Sequence, residues 1–411
     1  MVRNEKMQRG RMKNGLQYYI YPQKDFGGKM AAIVVKRGAN HIFWKGKYDE
    51  KITFPAGTAH FIEHKLFQQK WGDAFARFSQ QGASANAFTD GDKTVYYFTC
   101  RENFMKNLNL LLEFVQNPFF TEQAVEQEKS IITSEISMME DDPYWVVYAQ
   151  MVAGMYENHP VKNKIAGSVE SVQEMTEKTL QKAYEAYYTT ENMTLICTGN
   201  VPVKEVLTAA ESMQNRTTEA CVYFPMEEHH IFEKYQEKQM GLSRPIFQIG
   251  FKFSSVSKEK WLKARIAMGF LLEYMAGESS SFYEKAYESG FLDEPMGTAF
   301  FCGEGYAFAA FSGVGDAPEA TAELLLQELK RLQKKGLYEA DFCRIRKKML
   351  GRFLRRMDSP VRLCMGQIEW AMMDTTAAEM MECIKTLPLA EVEKLLQNAF
   401  SDNTMVLSVV R

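Results

Sequence analysis

His60-Phe61-Ile62-Glu63-His64 is the stretch on which the reading of this chain turns. Residues 58–67 read as a helix, and on a helix positions four apart lie one turn apart on the same face. Both imidazoles therefore face the same way, close enough to grip one ion. Glu63 stands three residues after the first histidine and directly before the second. Its carboxylate is expected at the edge of that face, where a metal-bound water would lie. Such a carboxylate can take the proton as the water attacks a carbonyl group, and Zn²⁺ is the ion that lowers the pKa of bound water to about 7.

The order H-x-x-E-H is the inverted form of the zincin helix. A catalytic zinc site uses three protein ligands and keeps one position open, so a third ligand must come from elsewhere. His41 and His159 qualify by residue type. A better source is the helix expected after the N-cap Thr121, which carries Glu122, Glu126, Glu128 and Glu135. Glu128 and Glu135 are seven apart and share a face. One could ligate while the other hydrogen-bonds a ligand from behind.

The rest of the composition is that of a soluble globular chain. Of 411 residues 46% are hydrophobic and 25% charged, with a net charge of −3. No global field favours nucleic acid, and no basic groove interleaved with aromatics is visible. No apolar run reaches the roughly 18 residues that span a bilayer. The basic stretch 1–13 has no apolar segment behind it and does not read as a secretory signal. The seven cysteines are scattered without a C-x-x-C pair, which disfavours a disulfide framework or a cysteine zinc site. The expected location is the cytoplasm, with neither nucleic acid nor membrane as partner.

Strand and helix patterns alternate along the chain. Strands are expected at 16–21, 30–36, 84–89 and 94–100, with helices at 58–67, 72–81, 102–116, from 121 to about 139, and from Pro143. A closing strand follows at 193–198. The polar stretch 212–241 reads as a connection, and then a similar order recurs: strand 245–253, helices 258–275 and 282–289, strands 297–301 and 306–312, helices from 317 to about 399, and the terminal strand 405–410. This points to a duplication of about 200 residues. The expected fold class is α+β, with two homologous domains, each a mainly antiparallel sheet with helices packed on one face. The expected boundaries are 1–211 for the metal-binding domain, 212–241 for the linker, and 242–411 for a homologous domain without the metal site.

Three ordered motifs carry a family resemblance. Gly57-Thr58-Ala59-His60-Phe61-Ile62-Glu63-His64 resembles the zinc helix of the insulinase, pitrilysin and mitochondrial processing peptidase family. So do Gly82-Ala83-Ser84-Ala85-Asn86-Ala87-Phe88-Thr89 followed by 94–98, and Glu128-Lys129-Ser130-Ile131-Ile132-Thr133-Ser134-Glu135. Further family-like marks are His159-Pro160, Gly167, and the run from Tyr187 to Gly199-Asn200. The resemblance implies a zinc metalloendopeptidase with one Zn²⁺ per chain. It implies His60, His64 and Glu135 as ligands, Glu63 as general base, and Glu128 as support from behind a ligand. It also implies that Asn86, Ala87, Phe88 and Thr89 belong to a strand whose edge takes up a peptide substrate as an added β-strand.

One departure stands out. Active members also use an Arg and a Tyr from the second domain, in a stretch like L-R-E-x-x-G-L-x-Y, to contact the substrate backbone and developing oxyanion. The matching stretch here is residues 282–293, where Ala286 or Tyr287 stands at the Arg position and Asp293 at the Tyr position. The expectation is a zinc subunit that works with a homologous partner supplying that pair, as a heterodimer or else a homodimer. The alternative is a zinc-binding but weakly active or structural subunit of a peptidase-like complex. A small-molecule metallohydrolase is disfavoured by the substrate-strand motif, and a metal role for Glu227-Glu228-His229-His230 by its polar linker setting.

Overall fold

Residues 30–35 are apolar without a break, and all six are 0% exposed. Successive residues of a strand point to opposite faces, so this strand must be covered on both. The structure is a computed structural model that describes residues 7–411. Of the basic stretch 1–13, the first six residues lie outside the described residues.

The buried strand lies inside a six-stranded sheet built from β1 (Gln8–Arg11), β2 (Gln17–Pro22), β3 (Lys29–Val35), β4 (Ala83–Thr89), β5 (Thr94–Cys100) and β6 (Met193–Gly199). Its spatial order is β1-β2-β6-β3-β5-β4. The β2–β6 pair is parallel and the other four pairs are antiparallel. A second sheet holds β7 (Tyr235–Lys238), β8 (Ile246–Phe253), β9 (Gly297–Gly303), β10 (Tyr306–Val314) and β11 (Met405–Val410), ordered β7-β11-β8-β10-β9. Here β7–β11 is parallel and the rest antiparallel. With β1 set aside, both sheets run first, fifth, second, fourth, third in chain order, the same arrangement used twice. The fold is α+β with two such domains.

Within these two sheets, two strands come from stretches without a strand expectation. β1 lies in the basic N-terminal stretch and pairs with β2, and β7 lies inside 212–241 and pairs with β11. The relevant helices are α1 (Thr58–Leu66), α2 (Glu122–Asp141) and α3 (Pro143–Met155) in the first half. In the second half they are α4 (Trp261–Ala276), α5 (Ser281–Glu288), α6 (Glu339–Met357) and α7 (Pro360–Ala371).

The chain forms two compact units, and they are not the contiguous stretches 1–211 and 242–411. One comprises residues 1–136, 163–223 and 354–377; the other comprises 137–162, 224–353 and 378–411. Each unit thus takes a helix from the other half of the sequence, and packing explains why. α3 starts with Pro143 at its first position, capped by Asp142, whose Oδ1 accepts the Tyr144 N–H at 2.9 Å. Its apolar side chains then find their partners in the second sheet. Met151, Val152 and Met155 join Phe308, Ala310 and Val406, while Val146 and Val147 join Ile246 and Val410. Gly250 of β8 makes room, because a Cβ there would stand 2.8 Å from the Met151 side chain. In the other unit α7 supplies cover beyond what the first half's own helices give. Thr198 of β6 donates to the Pro360 carbonyl at 2.8 Å, and Tyr21 of β2 donates to Gln367.

The exchanged helix is a core element of the unit it joins. Met151→Ala is therefore expected to lower stability by about 2–5 kcal/mol in chemical denaturation, through lost burial and a residual cavity. A change below about 0.5 kcal/mol, typical of surface sites, would contradict this packing.

Candidate metal centre

α1 is held at its start by a close backbone approach. Gly57 has φ 90° and Gly167 has φ 81°; a Cβ on Gly57 would lie 2.3 Å from the Ala166 carbonyl oxygen, and one on Gly167 2.4 Å from that of Ala56. Both positions demand glycine for space as well as for φ. Phe61, Ile62 and Leu66 are fully buried, which fixes the rotation of the helix about its axis. The opposite face then presents His60, Glu63 and His64 toward α2.

The two imidazole rings lie 4.5 Å apart between centroids. His60 Nε2 stands 3.6 Å from Glu135 Oε1, and His64 Nε2 stands 3.6 Å from Glu135 Oε2. One ligand atom from each of the three residues lies within 4.8 Å of the others. These contacts are too long for hydrogen bonds. They suit donors sharing an ion: two ligands at 2.0–2.1 Å in a tetrahedral site stand about 3.3 Å apart. Two imidazoles and one carboxylate are the donor set of a catalytic zinc site, and the residues present fit such an ion.

Around this trio the carboxylates have distinct tasks. Glu128 Oε1 lies 3.0 Å from His64 Nδ1, and its Oε2 lies 3.1 Å from Lys65 Nζ. Burial opposes the charged form of Glu128, but His64 and Lys65 outweigh it and hold the carboxyl below its ordinary range. Glu135 is likewise held down, chiefly by His60. Glu63 differs: burial dominates and pushes its carboxyl up, against the opposing pull of His60, Thr89 and His64. A carboxylate made more basic by its surroundings is a better proton acceptor near neutral pH. Glu63 Oε2 accepts a hydrogen bond from Thr89 Oγ1 at 2.7 Å. His64 is oriented from behind by Glu128, whereas His60 Nδ1 is buried without a hydrogen-bond partner.

The structure thus gathers His60, His64, Glu63, Glu128, Glu135 and Thr89. Asn86, Ala87 and Phe88 lie on the same strand as Thr89. That strand, β4, is the outer one of its sheet, with one row of backbone groups unpaired by any other strand. The Thr89 side chain is buried, and its hydroxyl donates to Glu63. Lys65 had no expected role. Its position was a signal, since it lies four residues after the buried Phe61, on the core face of α1, where a lysine needs a buried anion.

The other histidines are engaged elsewhere. His41 Nδ1 accepts the Gly38 N–H at 3.0 Å. His159 Nε2–H donates to the Glu304 carbonyl at 2.9 Å while Nδ1 accepts the Val161 N–H at 3.0 Å, and its ring stacks on Phe224. Glu227 is tied to three backbone N–H groups, of residues 157–159, and to Lys252. In the second unit α4 and α6 hold the chain positions of α1 and α2, and they are joined by ion pairs. Glu273 lies 2.6 Å from Lys348 and 2.8 Å from Arg352. At the stretch that departs from the family pattern, Ala286 is fully buried and Tyr287 largely exposed. Asp293 pairs with Arg244, which also reaches Asp316 at 3.3 Å.

The insulinase peptidase family M16 matches residues 51–169, and the domain described as the Peptidase M16 inactive domain matches 174–349. The uncharacterized zinc protease YmfH of Bacillus subtilis (strain 168) is 35% identical over 411 aligned positions, covering 97% of this chain and 95% of that one. This chain belongs to the insulinase (M16) peptidase family. Among solved structures, a protein described as an M16-like peptidase from Alicyclobacillus acidocaldarius shares 28% identity over 98% of both chains, with a TM-score of 0.93. A protease from Helicobacter pylori, 18% identical with a TM-score of 0.83 over 99% of both chains, shows the same M16 fold. The three ordered motifs that resemble the family lie on α1, α2 and β4, where these residues converge.

His159 gives the M16 fold an acid-sensitive point away from these residues. Burial lowers its pKa from 6.5 to about 4, and the Val161 N–H bond to Nδ1 opposes protonation as well. The unfolded chain takes up this proton below pH 6.5 and the folded chain does not. Stability from this group is full above 6.5 and is lost as pH falls toward about 4. Melting temperatures across that window should decline, and His159→Gln should flatten the decline; an unchanged slope would contradict the assignment.

Proposed function

We propose that this chain is the zinc-bearing subunit of an endopeptidase that hydrolyses peptides or unfolded segments. One observation carries the reading. Ligand atoms of His60, His64 and Glu135 lie within 4.8 Å of one another, and Thr89 steadies the neighbouring Glu63 carboxylate. The YmfH relative is described as a zinc protease, which agrees with this.

In this scheme His60, His64 and Glu135 hold one Zn²⁺ per chain, and Glu128 orients His64. An ion held there would supply Lewis-acid activation of the attacking water. Glu63 is the general base. Its Oε2 is engaged by Thr89, which leaves Oε1 to take up the proton and later return it to the leaving amine. The open edge of β4 at residues 86–89 receives the peptide as an added strand. Main-chain pairing there gives binding with loose sequence preference.

The second half supports a divided enzyme. Asp293, at the position of the family's Tyr, is tied up with Arg244, and Ala286 near the Arg position is fully buried and cannot reach a substrate. A homologous partner is proposed to supply the Arg and Tyr, and the same features support weak activity of the chain alone. No described helix is long and apolar enough to cross a membrane. The cytoplasmic location is proposed on the seven free cysteines.

Glu63→Gln should keep bound zinc and lower kcat/KM on a fluorogenic peptide by about 10²–10⁴-fold. Activity surviving that change would exclude Glu63 as the base. The purified chain is expected to be weak by itself and to gain activity when mixed with a homologue that carries the Arg/Tyr stretch. Full activity from the single chain would rule out the divided arrangement.

A further inference from the structure

Lys65 directly follows the second histidine and points away from it, into the core. Its side chain is 2% exposed. A buried ammonium is costly unless paired and hydrogen-bonded, so its partners matter. Nζ donates to Gln68 Oε1 and, at 3.1 Å, to Glu128 Oε2. The other oxygen of the same carboxylate, Oε1, lies 3.0 Å from His64 Nδ1. Glu128 is thus shared between an ammonium and an imidazole, one oxygen to each. With Nδ1–H donated to Glu128, His64 keeps its lone pair on Nε2, the atom 3.6 Å from Glu135 Oε2.

The geometry points to Lys65 as a positioning residue of the metal centre: its ammonium fixes Glu128, so that Glu128 fixes the tautomer and orientation of His64. This inference rests on the proposed function, in which His64 is a ligand. Two effects of removing Lys65 have opposite signs, which makes the role measurable. Glu63, Glu128 and Glu135 bring three negative charges. Lys65 and a divalent ion balance them, and without Lys65 one charge is left over. Coulomb attraction alone would then tighten cation binding. A positioning role predicts the reverse, because an unrestrained Glu128 no longer preorganises His64. Partners that orient a ligand typically contribute 10–100-fold to metal affinity.

The test measures Zn²⁺ affinity of the full chain by competition with a chromophoric chelator, alongside the visible absorption of the Co²⁺-loaded protein. Lys65→Met should weaken Zn²⁺ binding by about 10–100-fold and alter the Co²⁺ band. In a Glu128→Ala background, Lys65→Met should change the affinity little, because the carrier of the effect is gone. Lys65→Arg, which keeps a charged donor, should recover much of the affinity. Should Lys65→Met fail to fold by circular dichroism, Lys65→Gln reads the same quantity with the same two outcomes. Affinity that is unchanged or tighter in the uncharged variant overturns the inference, as does an equal loss with and without Glu128. A wild-type chain that takes up no zinc overturns the proposed function as well, whereas tight wild-type binding untouched by Lys65→Met overturns this inference alone.

Discussion

The arrangement depends on the buried face of one short helix. Phe61, Ile62 and Leu66 lock α1 into the core, and the Gly57–Gly167 approach sets where it begins. With rotation and start both fixed, His60 and His64 face α2 and Glu63 meets Thr89 of β4. The side chains that meet them bring their own restraints. Glu128 is gripped by Lys65 and His64, and Glu63 by Thr89. A centre preorganised in this way would lose little on binding an ion, because most of the ordering is done by packing that the fold requires anyway.

The two sheets share one strand order, yet only the first unit gathers metal-ligating groups among the described residues. In the second unit the corresponding helices α4 and α6 are tied by Glu273 to Lys348 and Arg352. Ion pairs thus span a helix pair that, in the first unit, is spanned by histidines and carboxylates. This agrees with the description of the matching M16 domain as inactive. The second half also departs from the family pattern at Asp293, which pairs with Arg244.

Local signals made most of this legible. The period of α1, the Thr121 and Pro143 helix starts, and the repeated order of strands and helices are short-range features. The structure places those elements within a few residues of where the sequence puts them. The convergence of His60 and His64 is legible in their spacing, whereas spacing alone leaves Glu128 and Glu135 as alternatives and only the family resemblance singles out Glu135. What escaped the reading was long-range. Nothing near 143–155 says that its apolar face belongs to the second sheet, and nothing near 360–371 says that it covers the first. Hence the compact units cut across the expected boundaries. β7 was hidden because Tyr235–Lys238 is polar and sits at a sheet edge. The contact of Thr89 with Glu63 likewise has no local signal, because it depends on how β4 meets α1.

X-ray absorption at the zinc edge, on protein carrying one equivalent of Zn²⁺, tests the central claim most directly. The expected spectrum shows two imidazole nitrogens at about 2.0–2.1 Å and one carboxylate oxygen at about 2.0–2.2 Å, with a further light ligand completing the shell. A sulfur scatterer near 2.3 Å, or a shell of water without imidazole, would contradict it.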